Sequence, residues 1–154
     1  MTVVAQRVVA LGDLASLANQ RLGVSRWHRV TQEQVNRFAE ATGDYQWIHL
    51  DPERARSGPF GTTIAHGYLT LSLAPMLYWD VVTVTGASAM VNYGIGKVRF
   101  PAPVPVGSQV RMAVDLTVVE QTEDWVQCTA LLTFEIDGVA KPACVAEVLM
   151  RYYS

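Results

Sequence analysis

The chain has 154 residues, half of them apolar and 17% charged, with a formal net charge of −2. That balance suits one globular domain with a sizeable core and excludes a disordered chain. No block of like charge occurs, so neither a nucleic acid nor an anionic membrane surface is expected as a partner.

Arg7 stands early, but no continuous apolar stretch follows it, so no secretory leader is expected. Val8, Leu11, Leu14, Ala15 and Ala18 recur at roughly helical spacing, which predicts a helix over residues 5–20. Gly12 weakens that helix and Gly23 ends the segment, and residues 24–30 then read as a short strand or extended lead-in. Thr31-Gln-Glu-Gln34 fits a capping box: a hydroxyl at the N-cap and an amide three residues on. Val35, Phe38, Ala39 and Thr42 form the apolar stripe of the helix that follows, and Gly43 suits its left-handed exit. Asp51-Pro52 signals another helix start, and Gly58 stops that short helix.

From residue 67 to about 79 nearly every residue is apolar or small, which predicts a buried helix. Pro75 removes one of its hydrogen bonds, so a kink is expected near residues 71–75. The wider apolar run of residues 68–84 is interrupted by Pro75 and Asp80, and no membrane span is expected. Residues 91–100, 109–120, 126–136 and 143–152 are rich in Val, Leu, Thr and Phe, with alternation at Val110, Met112, Val114, Leu116 and Val118. Short turn-forming stretches join them, at 101–107, 121–124 and Asp137-Gly138. The expectation is an α+β fold of one domain, residues 1–154, whose long antiparallel sheet lies against the apolar helix. Cys128 and Cys144 form no C-x-x-C pair and the three histidines are scattered, so no metal site is expected. The two cysteines read as buried free thiols of a cytoplasmic protein.

The chemistry concentrates between residues 38 and 70. Asp44 precedes His49 by five residues in a loop just past Gly43, and Gly67 opens the apolar helix. An acid, an imidazole and a helix N-terminus are parts that chemistry on a carbonyl substrate needs. Plainer roles stand beside these: Asp44 as a turn residue, His49 as a solvated loop histidine, Gly67 as a packing glycine. Tyr45, Trp47 and Ile48 either line a pocket or plug the core. His66 is a second imidazole or, more simply, an N-cap or structural residue. Ser72 either points toward Gly67's cavity or bonds back to its own turn. Asn92 and Tyr93 begin a strand, and Lys97 and Arg99 on it either meet a phosphate or only solvate the surface.

The stretch Phe38-Ala-Glu-Ala-Thr-Gly-Asp-Tyr-Gln-Trp-Ile-His49 resembles the hydratase motif of R-specific enoyl-CoA hydratases and MaoC-like dehydratases. Ile64-Ala-His-Gly-Tyr-Leu-Thr70 resembles the second block of that family, and Phe100-Pro-x-Pro-Val-x-Val-Gly107 one of its later turns. The chain is similar to the NodN-like branch over roughly residues 25–150. The resemblance implies a hot-dog fold, a long antiparallel sheet wrapped round one central helix, assembled as a homodimer. It implies reversible hydration of a trans-2-enoyl thioester to the (3R)-hydroxyacyl form, with Asp44 and His49 as the catalytic pair and Gly67 as oxyanion donor. No metal or redox cofactor is implied; CoA or an acyl carrier is the handle of the substrate. Tyr45, Gln46, Trp47, Ser72, Asn92 and Arg99 are the expected substrate contacts. The family commonly has Asn-Pro where this chain has Gln46-Trp47, which keeps an amide and changes the loop's stiffness and bulk. Two other readings are a hot-dog thioesterase using the same helix end, and a non-catalytic acyl-binding protein.

Overall fold

The computed structural model describes residues 5–154. Its first departure from expectation is near the start, where the helix predicted over residues 5–20 does not form. Instead β1 (Arg7–Ala10) leads into a 3-10 helix (Leu11–Leu17), and β2 (Gln20–Val24) follows. Three local causes act together. Val8 and Val9 are β-branched and favour a strand; Gly12 disfavours an α-helix; and Asn19 takes a left-handed φ of 60°, which reverses the chain. Leu14 alone of the supposed helical stripe is wholly buried, and Val8 faces outward.

A two-residue strand β3 (His28–Arg29) precedes α1 (Gln32–Thr42). The Thr31 hydroxyl accepts from the Gln34 N–H at 3.2 Å, as the capping box requires. The reciprocal bond is absent, because the Gln34 amide oxygen lies 3.0 Å from His28 Nε2 instead. Gly43 closes α1 at φ 77° with its N–H on the Ala39 carbonyl at 2.8 Å. The next two helices are short: α2 (Trp47–Leu50) and α3 (Pro52–Arg56), the latter capped by the Asp51 carboxylate on the Arg54 N–H.

The apolar segment forms α4 (Gly67–Ser72) and α5 (Ala74–Val81), with Pro75 in the first turn of the second piece. The interruption falls at Leu73, within the expected residues 71–75, and Leu73 keeps helical dihedrals and donates to the Leu69 carbonyl at 3.1 Å, so the two pieces stay joined. Leu69, Leu73, Leu77, Tyr78 and Val81 face the sheet and are buried, whereas Tyr68, Met76 and Trp79 are exposed. The helix is thus covered on one side only, and not all round as its composition suggested.

β4 (Val82–Thr85) pairs parallel with β1 in a small separate sheet. The main sheet adds β5 (Ala89–Arg99), β6 (Gln109–Gln121), β7 (Trp125–Ile136) and β8 (Cys144–Tyr153) in the antiparallel order β2-β6-β7-β8-β5, with β3 also on β6. Alternation explains its inner face. In β7, Val126, Cys128, Ala130, Leu132, Phe134 and Ile136 are all buried, and in β8 Cys144, Ala146, Met150 and Tyr152 are. β6 keeps the pattern through Leu116, after which a register shift turns Val118 outward and brings Val119 against the core. Both cysteines are free and buried, and burial pushes Cys128 up to about 11 and Cys144 up to about 12, so neither is a nucleophile. A long antiparallel sheet against one apolar helical segment is the hot-dog architecture.

Candidate active site

The segment after α3 is held extended between two others. Ile64 N–H donates to the Ile48 carbonyl at 3.1 Å, Ala65 N–H to Val104 at 2.8 Å, and Val106 N–H to Thr63 at 2.9 Å. This aims the Ile64 carbonyl at His49, which accepts from His49 Nδ1 at 2.7 Å. A carbonyl only accepts, so Nδ1 carries the hydrogen and Nε2 is left with a lone pair. The turn of α2 brings the His49 ring inward, and the residue is only 7% exposed. Gln32, at the start of α1, fixes the same residue from behind. Its amide nitrogen donates to the His49 carbonyl at 2.7 Å, and its oxygen accepts from the Thr63 hydroxyl at 2.7 Å. Burial pushes the His49 imidazole below its ordinary 6.5, and His66 adds to that, while the Ile64 carbonyl and Asp44 pull it upward.

Asp44 is exposed, and its carboxylate accepts from the Gln46 N–H at 3.3 Å. One side-chain atom each of Asp44, His49 and His66 lies within 4.8 Å of the others. The cluster therefore has the composition of a partial metal site, with two imidazoles and a carboxylate. His66 Nε2 is occupied at 3.0 Å on the Asp44 backbone carbonyl, and the two histidine rings stack face to face at 3.8 Å. What the arrangement offers directly is a neutral imidazole and a carboxyl group within reach of one small molecule, the requirement for general acid–base work.

His49 and Gly67 line one cavity of about 290 Å³, together with Phe60, Thr70, Phe100 and Val104. Gly67 opens α4, so its N–H has no intrahelical acceptor. The ring of Phe100 lies across Gly67: a Cβ there would stand 3.2 Å from Phe100 Cγ. Phe60, Thr70, Phe100 and Gln32 carried no expected site role from the sequence. Phe100 did carry a signal, since it heads the Phe-Pro turn quoted above; Gln32 is an ordinary helix-start residue to any pattern.

The other expected contacts are dispersed. Tyr45 is exposed beside Asp44, and Gln46 contributes its backbone N–H as described. Trp47 packs away from the cavity, with the Arg54 guanidinium 4.2 Å over its ring and its edge against Gly58. Ser72 bonds back to the Tyr68 carbonyl at 2.6 Å. Ser72 and Asn92 line a different cavity of about 290 Å³, between the helix and β5–β8, with Leu71, Pro75, Ile95 and Leu149. Arg99 turns to the Val98 carbonyl at 2.7 Å, next to Phe100 in the chain. His66 stands at the N-cap of α4, as expected, with its carbonyl accepting from the Thr70 N–H at 3.2 Å; its side chain makes no cap and serves the Asp44 carbonyl instead.

Residues 13–133 match the family described as MaoC like domain. The chain belongs to the MaoC-like family. It is 56% identical over 144 residues to 3-hydroxyacyl-thioester dehydratase Z of Mycobacterium tuberculosis, covering 93% of this chain and 95% of that one. It is 40% identical to Nodulation protein N of Rhizobium meliloti over 141 residues, 90% of this chain and 88% of the relative. Among solved structures it is similar to the (R)-hydratase from A. caviae, with a TM-score of 0.68 at 24% identity over 86% of this chain and 94% of that one. This last likeness carries the hot-dog fold. The MaoC-like assignment agrees with the two sequence blocks, which hold Asp44, His49 and Gly67.

Proposed function

We propose that this MaoC-like chain catalyses the reversible hydration of trans-2-enoyl thioesters to (3R)-3-hydroxyacyl thioesters. The observation that carries the reading is the buried His49, its Nδ1–H fixed on Ile64 and its Nε2 free, beside Asp44. High identity to a protein named 3-hydroxyacyl-thioester dehydratase supports the reaction class.

In the hydration direction His49 Nε2 takes a proton from water as the oxygen adds to C3. The electron pair of the double bond moves toward the thioester, and the enolate oxygen is held by the Gly67 N–H. Asp44 orients the water and delivers a proton to C2. Asp44 starts with the proton it gives to carbon, and the proton His49 takes from water then passes from His49 to Asp44, so the pair ends each turnover as it began. No metal or redox cofactor takes part, and CoA or an acyl carrier is part of the substrate. Tyr45 and Gln46, next to Asp44, and Arg99, next to Phe100, are its expected contacts near the reacting end. Ser72 and Asn92 stand at the second cavity.

The protein acts as a cytoplasmic homodimer in this reading. Support for the dimer comes from edge strand β5, where Val91, Tyr93 and Ile95 are exposed, and from the uncovered Tyr68, Met76 and Trp79. Among the described residues no helix is long and apolar enough to cross a membrane. Crotonyl-CoA tests the chemistry. Loss of enoyl absorbance without release of free thiol is expected; thiol release at constant enoyl absorbance points to a thioesterase, and neither change rejects an enzyme of this class. Light scattering on the same preparation is expected to give twice the chain mass, and a fully active monomer contradicts the dimer.

A further inference from the structure

His66 is 2% exposed, yet its Nδ1 is buried with no hydrogen-bond partner among the described residues. An orphaned nitrogen is costly to bury, so something else about the imidazole must be needed there. Its surroundings show what. One face stacks on the His49 ring at 3.8 Å, and Phe38 packs against it with ring centres 5.0 Å apart. A phenylalanine would keep both ring contacts and remove the orphan. The one thing it would lose is the Nε2–H, which donates to the backbone carbonyl of Asp44 at 3.0 Å.

We infer that His66 is a positioning residue that ties the two members of the acid–base pair together, holding the Asp44 backbone by a hydrogen bond and the His49 ring by stacking. The inference rests on the hydratase reading above. Asp44 lies in an exposed loop between α1 and α2, and among the described residues its carboxylate bonds only the Gln46 N–H. The bond from His66 is what ties this loop to the His49 side of the site. The His66 Nε2–H is committed to the Asp44 carbonyl, and its Nδ1 is buried without a partner among the described residues. His66 is thus a fixed N–H donor and takes no part in proton transfer.

The test compares His66→Phe, which keeps the ring, with His66→Gln, which keeps an N–H at a similar reach. Both are assayed with crotonyl-CoA as turnover per folded molecule. His66→Phe is expected to lower kcat by about 10²-fold with KM nearly unchanged, the scale of a small misplacement of a catalytic group. His66→Gln is expected to recover most of that loss despite losing the stack. A folded His66→Phe enzyme with wild-type kcat overturns the inference, as does a His66→Gln enzyme no better than His66→Phe. If His66→Phe does not fold, His66→Asn, too short to reach the carbonyl, takes its place with the same expectations. Wild type and Asp44→Asn run alongside. An inactive wild type removes the hydratase reading, whereas an active wild type with a dead Asp44→Asn and unaffected His66 variants removes only the role of His66.

Discussion

The long sheet and the segment from Asp44 to Gly67 are built on opposite rules. In β7 and β8 the buried positions are almost all apolar and fill space; the buried polar exception, Gln127, is bonded to Glu120 and Arg151. Between Asp44 and Gly67 two histidines and Thr63 are buried, and one histidine nitrogen has no partner among the described residues. Polar groups are costly to bury unless paired. Their concentration in one 24-residue stretch, fastened by Gln32, Ile64 and Asp44 backbone bonds, marks where stability has been given up for chemistry. Substitutions in the two regions should therefore divide cleanly between activity and stability.

The largest effect is expected at His49. His49→Ala should lower turnover with crotonyl-CoA by about two to four orders of magnitude, as loss of a general base does, with folding retained by circular dichroism. A folded His49→Ala enzyme at near wild-type rate breaks the distinction. Phe134→Ala in the sheet should behave in the reverse way. It is expected to destabilise by about 3–5 kcal/mol in denaturant unfolding, as for a wholly buried aromatic, while each molecule that remains folded turns over normally.

Gly67 lies where the two rules meet, and its substitution sharpens the comparison. Any side chain there presses on the Phe100 ring, itself partly exposed and able to yield. Gly67→Val is expected to reduce turnover by about 10²-fold, the scale of losing one oxyanion donor, with a smaller fall in melting temperature. If stability falls first and folded molecules stay active, Gly67 belongs with the packing residues.

These contrasts also explain what the sequence could tell. Strand alternation is a property of neighbouring residues, so the four long strands were legible to within a residue or two, and so were the α1 cap at Thr31 and the exit at Gly43. The bulge after Leu116 was not, because only cross-strand register reveals that Val118 turns outward. Residues 5–20 misled for a related reason: their helical spacing is real, but β1 gains its partner from β4, more than seventy residues away. At the site, Asp44, His49 and Gly67 stood out by residue type and position, the family blocks supplied their expected roles, and the structure brings Asp44 near His49 and puts His49 and Gly67 on one cavity. The Ile64 carbonyl, the Gln32 amide and the bond from His66 to Asp44 depend on contacts across the fold that no spacing encodes.

A smaller effect follows from the burial of His49. Its imidazole is held below 6.5 in the folded protein, so the unfolded chain binds that proton more readily. Stability is therefore expected to rise with pH through the window between the lowered value and 6.5, and to gain nothing more from this group above it. Urea titrations of wild type and His49→Asn across that window should show the slope in the first and its loss in the second. The same slope in both would place the imidazole in solvent in the native state.

The central claim is that the Asp44–His49 pair, and not the cavity alone, performs a hydration. It is tested most directly by following crotonyl-CoA with wild type and Asp44→Asn at equal folded concentration, recording enoyl absorbance and free thiol together. The account predicts rapid loss of absorbance without thiol for wild type, and a rate lower by about two to four orders of magnitude for Asp44→Asn. Equal rates for the two proteins, or thiol release as the main signal, would contradict it.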